Sequence, residues 1–118
     1  MRQHRGLYHQ EILSRDEAAR MHLHVWRILR ERIEPGGAVL PHRHDVTEVI
    51  HFVRGEVDVL LRTTRLICRP GDSLIVPAGT VHGVANGSPV PSEQVSFFIP
   101  SRDAENFGHT EMIAGIAL

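Results

Sequence analysis

Residues 41–55 read PHRHDVTEVIHFVRG and place His42, His44 and Glu48 directly before a hydrophobic run. On an extended strand His42 and His44 project from the same face, so both imidazoles can reach one ion. A straight strand would put the Cα of Glu48 roughly 13 Å from that of His44. Because metal bonds to these side chains are only about 2.0–2.2 Å long, one ion could not be shared across that distance. We therefore predict that the chain reverses at residues 45–47, where Asp and Thr favour a turn, and that Glu48 returns facing the histidines.

A second stretch, GDSLIVPAGTVHGVAN at residues 71–86, supplies a candidate fourth ligand. Its Pro77-Ala78-Gly79 segment is typical of a turn, with Gly79 available for the positive φ of a type II turn. His82 follows three residues later at the start of an apolar segment. Without this second stretch, a His-x-His near a glutamate is more often a solvated surface strand than a metal site.

The rest of the chain alternates short apolar segments with Gly/Pro turns at intervals of about 8–12 residues, which indicates a sandwich or barrel. One helix is predicted over Ser14 to Arg20, where Ser14 and Glu17 form a capping box. We predict a strand over residues 22–33 that ends at a turn over residues 35–37. Arg54-Gly55 predicts a tight hairpin between segments 48–53 and 56–61. Further strands are predicted at 65–68, 73–76, 81–85 and 94–99.

Composition narrows the classes of function. The 118 residues predict one domain, and the near balance of 13 basic and 14 acidic residues argues against a nucleic-acid partner. All basic residues are arginine, so Schiff-base chemistry and a lysine base are excluded. Cys68 is the sole cysteine, which leaves no internal disulfide or cysteine zinc knuckle. The polar N-terminal segment and the lack of a ~20-residue apolar run predict a cytoplasmic protein that does not cross a membrane.

The two stretches together resemble the two sequence motifs of the cupin superfamily. The first, G-x5-HxH-x3/4-E-x6-G, and the second, G-x5-PxG-x2-H-x3-N, are both complete. The resemblance implies an all-β fold, a double-stranded antiparallel β-barrel of the jelly-roll type, as a single domain over residues 1–118. Within it we place an N-terminal arm at 1–20, the motifs at 36–55 and 71–86, and a C-terminal tail at 100–118. The matching positions are Gly36, His42, His44, Glu48 and Gly55, then Gly71, Pro77, Gly79, His82 and Asn86.

The resemblance implies that His42, His44, Glu48 and His82 hold one divalent transition metal ion. Iron and manganese are favoured, and nickel, zinc and copper are alternatives. Four protein ligands leave one or two positions open for water, a substrate or dioxygen. Glu48 is also a candidate catalytic base. Ile50 and Phe52 share its strand parity and are candidates for the wall of a substrate pocket.

Three functions remain open at this point. A dioxygenase would act on a small enol, diol or catechol-like substrate. An isomerase or lyase would need a further general base, and the sequence shows no second carboxylate in a compelling position. A binding or sensing cupin would turn nothing over. We also expect a homodimer, because segment 22–33 is apolar on both strand parities and short single-domain cupins resemble homodimers.

The remaining conspicuous residues have structural interpretations. His51 lies three residues after Glu48 and is predicted to point to the outer face. Solvated positions are expected for His22 and His24, and a loose N-terminal arm for His4 and His9. Cys68 is expected to pack as a small buried side chain. Trp26 is expected in the core or a pocket wall, and His109 lies in the C-terminal tail.

Overall fold

The computed structural model of the protein describes residues 4–101 and 110–113. These residues form one helix and nine strands, and every strand pair is antiparallel. The elements are β1 (Arg5–Leu13), α1 (Arg15–Arg20), β2 (Arg27–His44), β3 (Thr47–Arg54), β4 (Val57–Leu61), β5 (Thr64–Cys68), β6 (Ser73–Val76), β7 (His82–Ala85), β8 (Ser92–Ile99) and β9 (Thr110–Met112).

The strands follow the order β5-β4-β7-β2-β8-β3-β6, with β1 and β9 both paired to β2. The long strand β2 joins two layers. Its residues 27–33 pair with β8, whereas its residues 38–42 pair with β7. The sheet thereby wraps into a nearly closed antiparallel barrel, which confirms the predicted all-β jelly-roll fold.

The passage of β2 from one layer to the other explains an error in the sequence analysis. Residues 35–37 were expected to end the strand, but the strand continues through them to His44. Gly36 adopts a φ of +80°, and a Cβ on Gly37 would lie 2.9 Å from the carbonyl oxygens of Arg5 and Gly6. These glycines bend the strand beneath β1 instead of ending it.

Two further predictions of local structure were wrong. The strand predicted from residue 22 begins only at Arg27, after a turn in which His22 has a φ of 56°. The predicted hairpin at Arg54-Gly55 does not form, because β3 pairs with β6 and β8 while β4 pairs with β5 and β7. The chain crosses between the layers at this point. A glycine turn permits either path, so the local sequence cannot choose between them.

The N-terminal segment is more ordered than expected. Strand β1 pairs with β2, with Leu7 opposite Ile33, so His4 and His9 do not lie in a loose arm. The predicted helix and its capping box are confirmed, since Ser14 and Glu17 exchange side chain to backbone hydrogen bonds of 3.1 and 3.0 Å. Among the described residues no helix is long and apolar enough to cross a membrane.

Residue parity sets the inner face of the barrel. In β8, buried and half-buried positions alternate along the whole strand. The larger core cluster includes Ile33, Ile50, Phe52 and Cys68, and the buried position of Cys68 agrees with the sequence analysis. A second cluster of Trp26, Leu29, Val46 and Phe98 closes the end of the barrel near the histidines.

Candidate metal centre

Four predicted ligands meet inside the barrel. His42, His44, Glu48 and His82 each offer one ligand atom, and these atoms all lie within 4.8 Å of one another. The Nε2 atom of His44 is 3.1 Å from Nε2 of His42 and 3.1 Å from Oε1 of Glu48. The same Oε1 is 3.0 Å from Nε2 of His82. Four side chains from three strands thus converge on one point.

The local folds that bring them together are those anticipated from the sequence. His42 and His44 lie at the end of β2, and β3 begins at Thr47, so Glu48 returns towards them. His82 opens β7 and is the cross-strand partner of His42. The preceding turn is fixed to β2 by a hydrogen bond of 2.6 Å from the Gly79 amide to the His44 carbonyl. Gly79 has the predicted positive φ, at 79°.

Backbone carbonyls orient two of the imidazoles. Nδ1 of His42 donates to the Leu40 carbonyl at 2.7 Å, and Nδ1 of His82 donates to the Thr80 carbonyl at 2.9 Å. With a proton on Nδ1, Nε2 of each ring points at the cluster, and its lone pair is available to a metal ion when Nε2 carries no proton. This is the tautomer that a metal-ligating histidine requires, held by a second hydrogen bond as such ligands commonly are.

The electrostatics of the cluster favour a neutral His42 beside a charged Glu48. Burial, with the neighbouring His82 and His44 charges, lowers the pKa of His42 to about 3. Burial alone would raise the pKa of Glu48, but hydrogen bonds from His44 and His82 bring it below the usual range. Burial opposes protonation of His82, but its hydrogen bond to Glu48 raises its pKa overall.

The donor set fits a metal ion. Two ligands at right angles around an ion, each about 2.1 Å away, are separated by about 3.0 Å. Three of the ligand-atom pairs are 3.0–3.1 Å apart. Imidazole nitrogens facing each other at this distance repel unless a proton or a cation lies between them. The cluster is therefore a group that could hold a divalent metal ion, and three imidazoles with one carboxylate suit a first-row transition metal.

The cluster forms one wall of a cavity of about 150 Å³. Much of the remaining wall is apolar and comes from both layers and from β1. Since an apolar cavity of about 150 Å³ holds a molecule the size of benzene, the space suits a small ligand of about six non-hydrogen atoms. Its apolar members are Leu7, Trp26, Leu29, Val39, Ile50, Val84 and Phe98.

The other residues singled out from the sequence differ in whether their side chains line the cavity, pack in the core or face outwards. Ile50 lines the cavity, as does Trp26. Phe52 has the expected inward direction but packs in the larger core cluster and is not among the lining residues. His51 is exposed and hydrogen-bonds Ser73 at 2.8 Å, which confirms its outward orientation. His22 and His24 are exposed as expected, and His109 lies outside the described residues.

Sequence reasoning missed five polar residues that line the cavity: Arg27, Glu31, Gln94, His4 and His9. Glu31 shares strand parity with Leu29 and Ile33, both buried, so an inward-facing carboxylate was predictable from β2 alone. Gln94 likewise shares parity with Phe98 on β8. No local signal marks His4, whose Nδ1 accepts a hydrogen bond from the Leu40 amide at 3.0 Å, because this contact depends on the docking of β1.

Comparison with known proteins agrees with this architecture. A protein-family model described as "Cupin domain" matches residues 29–98, more than half of the chain. No curated protein matches the chain in a sequence comparison.

Three solved structures illustrate the likeness of fold. A predicted oxalate decarboxylase from Thermotoga maritima superimposes with a TM-score of 0.77 at 22% identity, over 86% of this chain and 87% of the other. The polyketide cyclase RemF from Streptomyces resistomycificus gives 0.76 at 14% identity, over 97% and 75%. A recombinant oxalate oxidase in complex with glycolate gives 0.71 at 25% identity, over 80% of this chain and only 51% of the other.

Proposed function

The chain belongs to the cupin domain family, and we propose that it is a metal-dependent cupin enzyme acting on a small, oxygen-rich substrate. The observation that carries the proposal is the convergence of three imidazoles and one carboxylate on the wall of a cavity. Four protein donors leave open positions on an ion that accepts five or six ligands, and the cavity adjoins the cluster. The proposed ion is iron(II) or manganese, with nickel, zinc or copper as alternatives.

The size and lining of the cavity support a small chelating substrate. An enediol, a 1,2-diol or a small catechol-like molecule has two oxygens on adjacent carbons and few other atoms, which suits a volume of about 150 Å³. The apolar wall formed by Trp26, Leu29, Ile50 and Phe98 excludes water from the reacting end of the substrate. Low solvent access strengthens the electrostatic interactions of the cluster with a bound oxygen.

Dioxygenase chemistry is the first candidate. A bound metal would supply Lewis acidity and a site for dioxygen next to the substrate. Glu48 lies where it can act as a base as well as a ligand, because its Oε1 joins His44 and His82 at the cavity wall. The apolar side chains hold the substrate carbon skeleton, while the histidines fix the position of its oxygens.

An isomerase or lyase is a second candidate, favoured by one specific observation. Such an enzyme needs a general base that is not a metal ligand, and the carboxylate of Glu31 lines the same cavity. This finding removes the objection that the sequence raised against that chemistry. Three of the similar folds carry the names oxalate decarboxylase, polyketide cyclase and oxalate oxidase, so this barrel hosts more than one reaction class.

The proposal is tested by purifying the chain without a His-tag and measuring its metal content by elemental analysis. The protein is then loaded with iron(II), manganese or zinc and offered enols, 1,2-diols and α-hydroxy ketones. Oxygen uptake with substrate loss supports the dioxygenase, and anaerobic turnover supports the isomerase or lyase. Tight retention of a ligand with no product under either condition would make the protein a binding cupin and overturn the proposed enzyme.

A further inference from the structure

The cavity contains a second carboxyl group that the metal cluster does not use. Glu31 lies on the inner face of β2, is only 8% exposed and lines the cavity together with the four cluster residues. Glu31 is not one of the four residues whose ligand atoms converge. Across the sheet, Glu31 is paired with Gln94, and Gln94 is paired with Phe52 on β3. Glu48 lies on the same inner face of β3, four residues before Phe52.

Gln94, the neighbour of Glu31, has a side-chain oxygen that accepts no hydrogen bond from the described residues. Ser96 Oγ donates to Oε1 of Glu31 at 3.2 Å, and the Gln94 side chain also hydrogen-bonds this carboxyl. Gln94 is the direct cross-strand partner of Glu31. The Oε1 atom of Gln94 is buried and has no hydrogen-bond partner, although the residue is only 1% exposed and lines the cavity. A ligand hydroxyl that donates to this oxygen would satisfy it.

Within the described part of the chain, none of the ion pairs of 4.0 Å or less involves Glu31. Arg27, which lies on the same strand and also lines the cavity, forms an ion pair of 2.8 Å with Glu11. Burial, followed by the negative charge of Glu48, raises the pKa of Glu31 to about 7, although hydrogen bonds from Ser96 and Gln94 and the charge of Arg27 oppose the rise. A carboxyl with a pKa near neutral can both accept and return a proton. The other titratable residues lining the cavity are His4, His9, Arg27, His42, His44, Glu48 and His82.

We propose that Glu31 is a catalytic acid–base residue, and that Gln94 positions a substrate hydroxyl beside it. The inference rests on the proposed function and narrows it to substrates with an acidic proton next to a carbonyl, such as a small α-hydroxy ketone or its enol. The carbonyl end of the substrate lies towards the histidine cluster, and the carbon or hydroxyl that loses its proton lies towards Glu31.

The proton step is balanced without any co-reactant. The carboxylate of Glu31 takes a proton from the carbon next to the carbonyl, and a new O–H bond forms on Glu31. The electron pair of the broken C–H bond becomes the C=C bond of an enolate, and the carbonyl oxygen takes the negative charge. Return of the proton to the same carbon completes a simple exchange. Return to the former carbonyl carbon completes an isomerisation when the proton of the neighbouring hydroxyl moves to the enolate oxygen, so that the hydroxyl carbon becomes the new carbonyl.

Two measurements test the assignment directly. In protein labelled with ¹³C at the glutamate carboxyl carbon, Glu31 should titrate near neutral pH, and loading with zinc should lower its midpoint because a nearby positive charge favours the carboxylate. In D₂O, metal-loaded parent protein should exchange the carbon-bound hydrogens of hydroxyacetone. Glu31→Gln should bind metal as the parent does but exchange at least about 100-fold more slowly.

Two variants serve as controls. Glu34→Gln makes the same change on the same strand, at a residue that pairs with Arg32 outside the cavity lining, and should exchange like the parent. Glu31→Asp keeps a titratable group but shortens the side chain, so it should retain part of the exchange. It replaces Glu31→Gln as the test variant if Glu31→Gln folds poorly.

The outcomes separate this inference from the proposed function. A Glu31 midpoint near 4, one that zinc does not move, or a Glu31→Gln variant with parental exchange would overturn the catalytic role of Glu31. The same holds for a metal-loaded parent that turns over enols or diols but never exchanges hydroxyacetone. A parent that binds no metal, or that binds metal and turns over nothing, would instead overturn the proposed function, and the role of Glu31 with it.

Discussion

Nε2 of His82 lies 3.0 Å from Oε1 of Glu48, although the two residues are 34 positions apart and sit on strands that do not pair. Glu48 belongs to β3 and His82 to β7, so the contact joins the two layers of the barrel. The candidate metal centre is therefore also a link between the layers. Its integrity can be tested one ligand at a time.

Replacing His82 with Ala should weaken metal binding by far more than tenfold, because it removes one of four ligand atoms. Altering only the groups that orient such ligands already costs about 10–100-fold in affinity. The measurement is zinc or manganese affinity by calorimetry, with metal content checked after dialysis. His51→Ala is the matched control, since His51 is exposed on the outer face and should leave affinity unchanged. Parental affinity in the His82 variant would show that the four-ligand assignment is wrong.

Glu48→Gln should behave differently from Glu31→Gln. The amide ligates weakly and cannot accept a proton, so the Glu48 variant should keep only part of the metal and lose turnover even when rates are expressed per bound ion. The Glu31 variant should keep all of the metal. Metal content and turnover measured on the same samples distinguish the two carboxylates. Equal metal loss in both variants would contradict the division of roles between them.

The sequence predicted the centre better than the barrel that surrounds it. If His42, His44 and Glu48 share one ion, their spacing requires a reversal wherever the strands lie, and the resemblance to the two cupin motifs completed the ligand set. The paths of the chain at Arg54-Gly55 and through Gly36-Gly37 depend on which layer the next strand joins. That choice is made by the burial of whole strand faces, which no short segment encodes.

The same limit explains the residues that were missed. The inward direction of Glu31 follows from its parity with Leu29 and Ile33, but its placement in the cavity depends on the pairing of β2 with β8. The position of His4 depends on the docking of β1 against the bend in β2. The opposite error occurred at Phe52. Its strand parity correctly predicted an inward side chain, but parity does not distinguish the core from the cavity wall.

The raised pKa of Glu31 predicts a pH dependence of stability in the metal-free protein. Between its usual pKa of 4.5 and its folded value of about 7, the folded state holds a proton that the unfolded state has lost. Stability therefore falls as pH rises through this window, by about 3 kcal/mol in total at 1.36 kcal/mol per pKa unit. Other groups titrate as well, so the contribution is isolated by subtracting the values for Glu31→Gln.

This prediction is checked by urea unfolding of parent and variant between pH 4.5 and 8, in the presence of a chelator. The free energy of unfolding of the parent, relative to that of the variant, should decline as pH rises and level off above pH 7. A constant difference across this range would mean that Glu31 has an ordinary pKa in the folded protein.

The outer face of the sheet carries the features expected of a dimer interface, and we propose that the chain forms a homodimer through it. Cross-strand pairs place Ile75, Val49, Phe97 and Ile28 in one row across four strands. Ile75 is 64% exposed in the single chain, and such an apolar row is stabilised when a second copy covers it. Light scattering should give twice the chain mass of 13.3 kDa.

Ile75→Arg should convert that dimer to a monomer, because a guanidinium in an apolar interface loses its hydration without gaining a partner. Ile67→Arg is the matched control, since Ile67 is 51% exposed on β5 in the other layer and should leave the dimer intact. Metal content should be the same in both variants, because neither side chain lines the cavity. A parent mass near 13 kDa at micromolar concentration, or an equal effect of both substitutions, would rule out this interface.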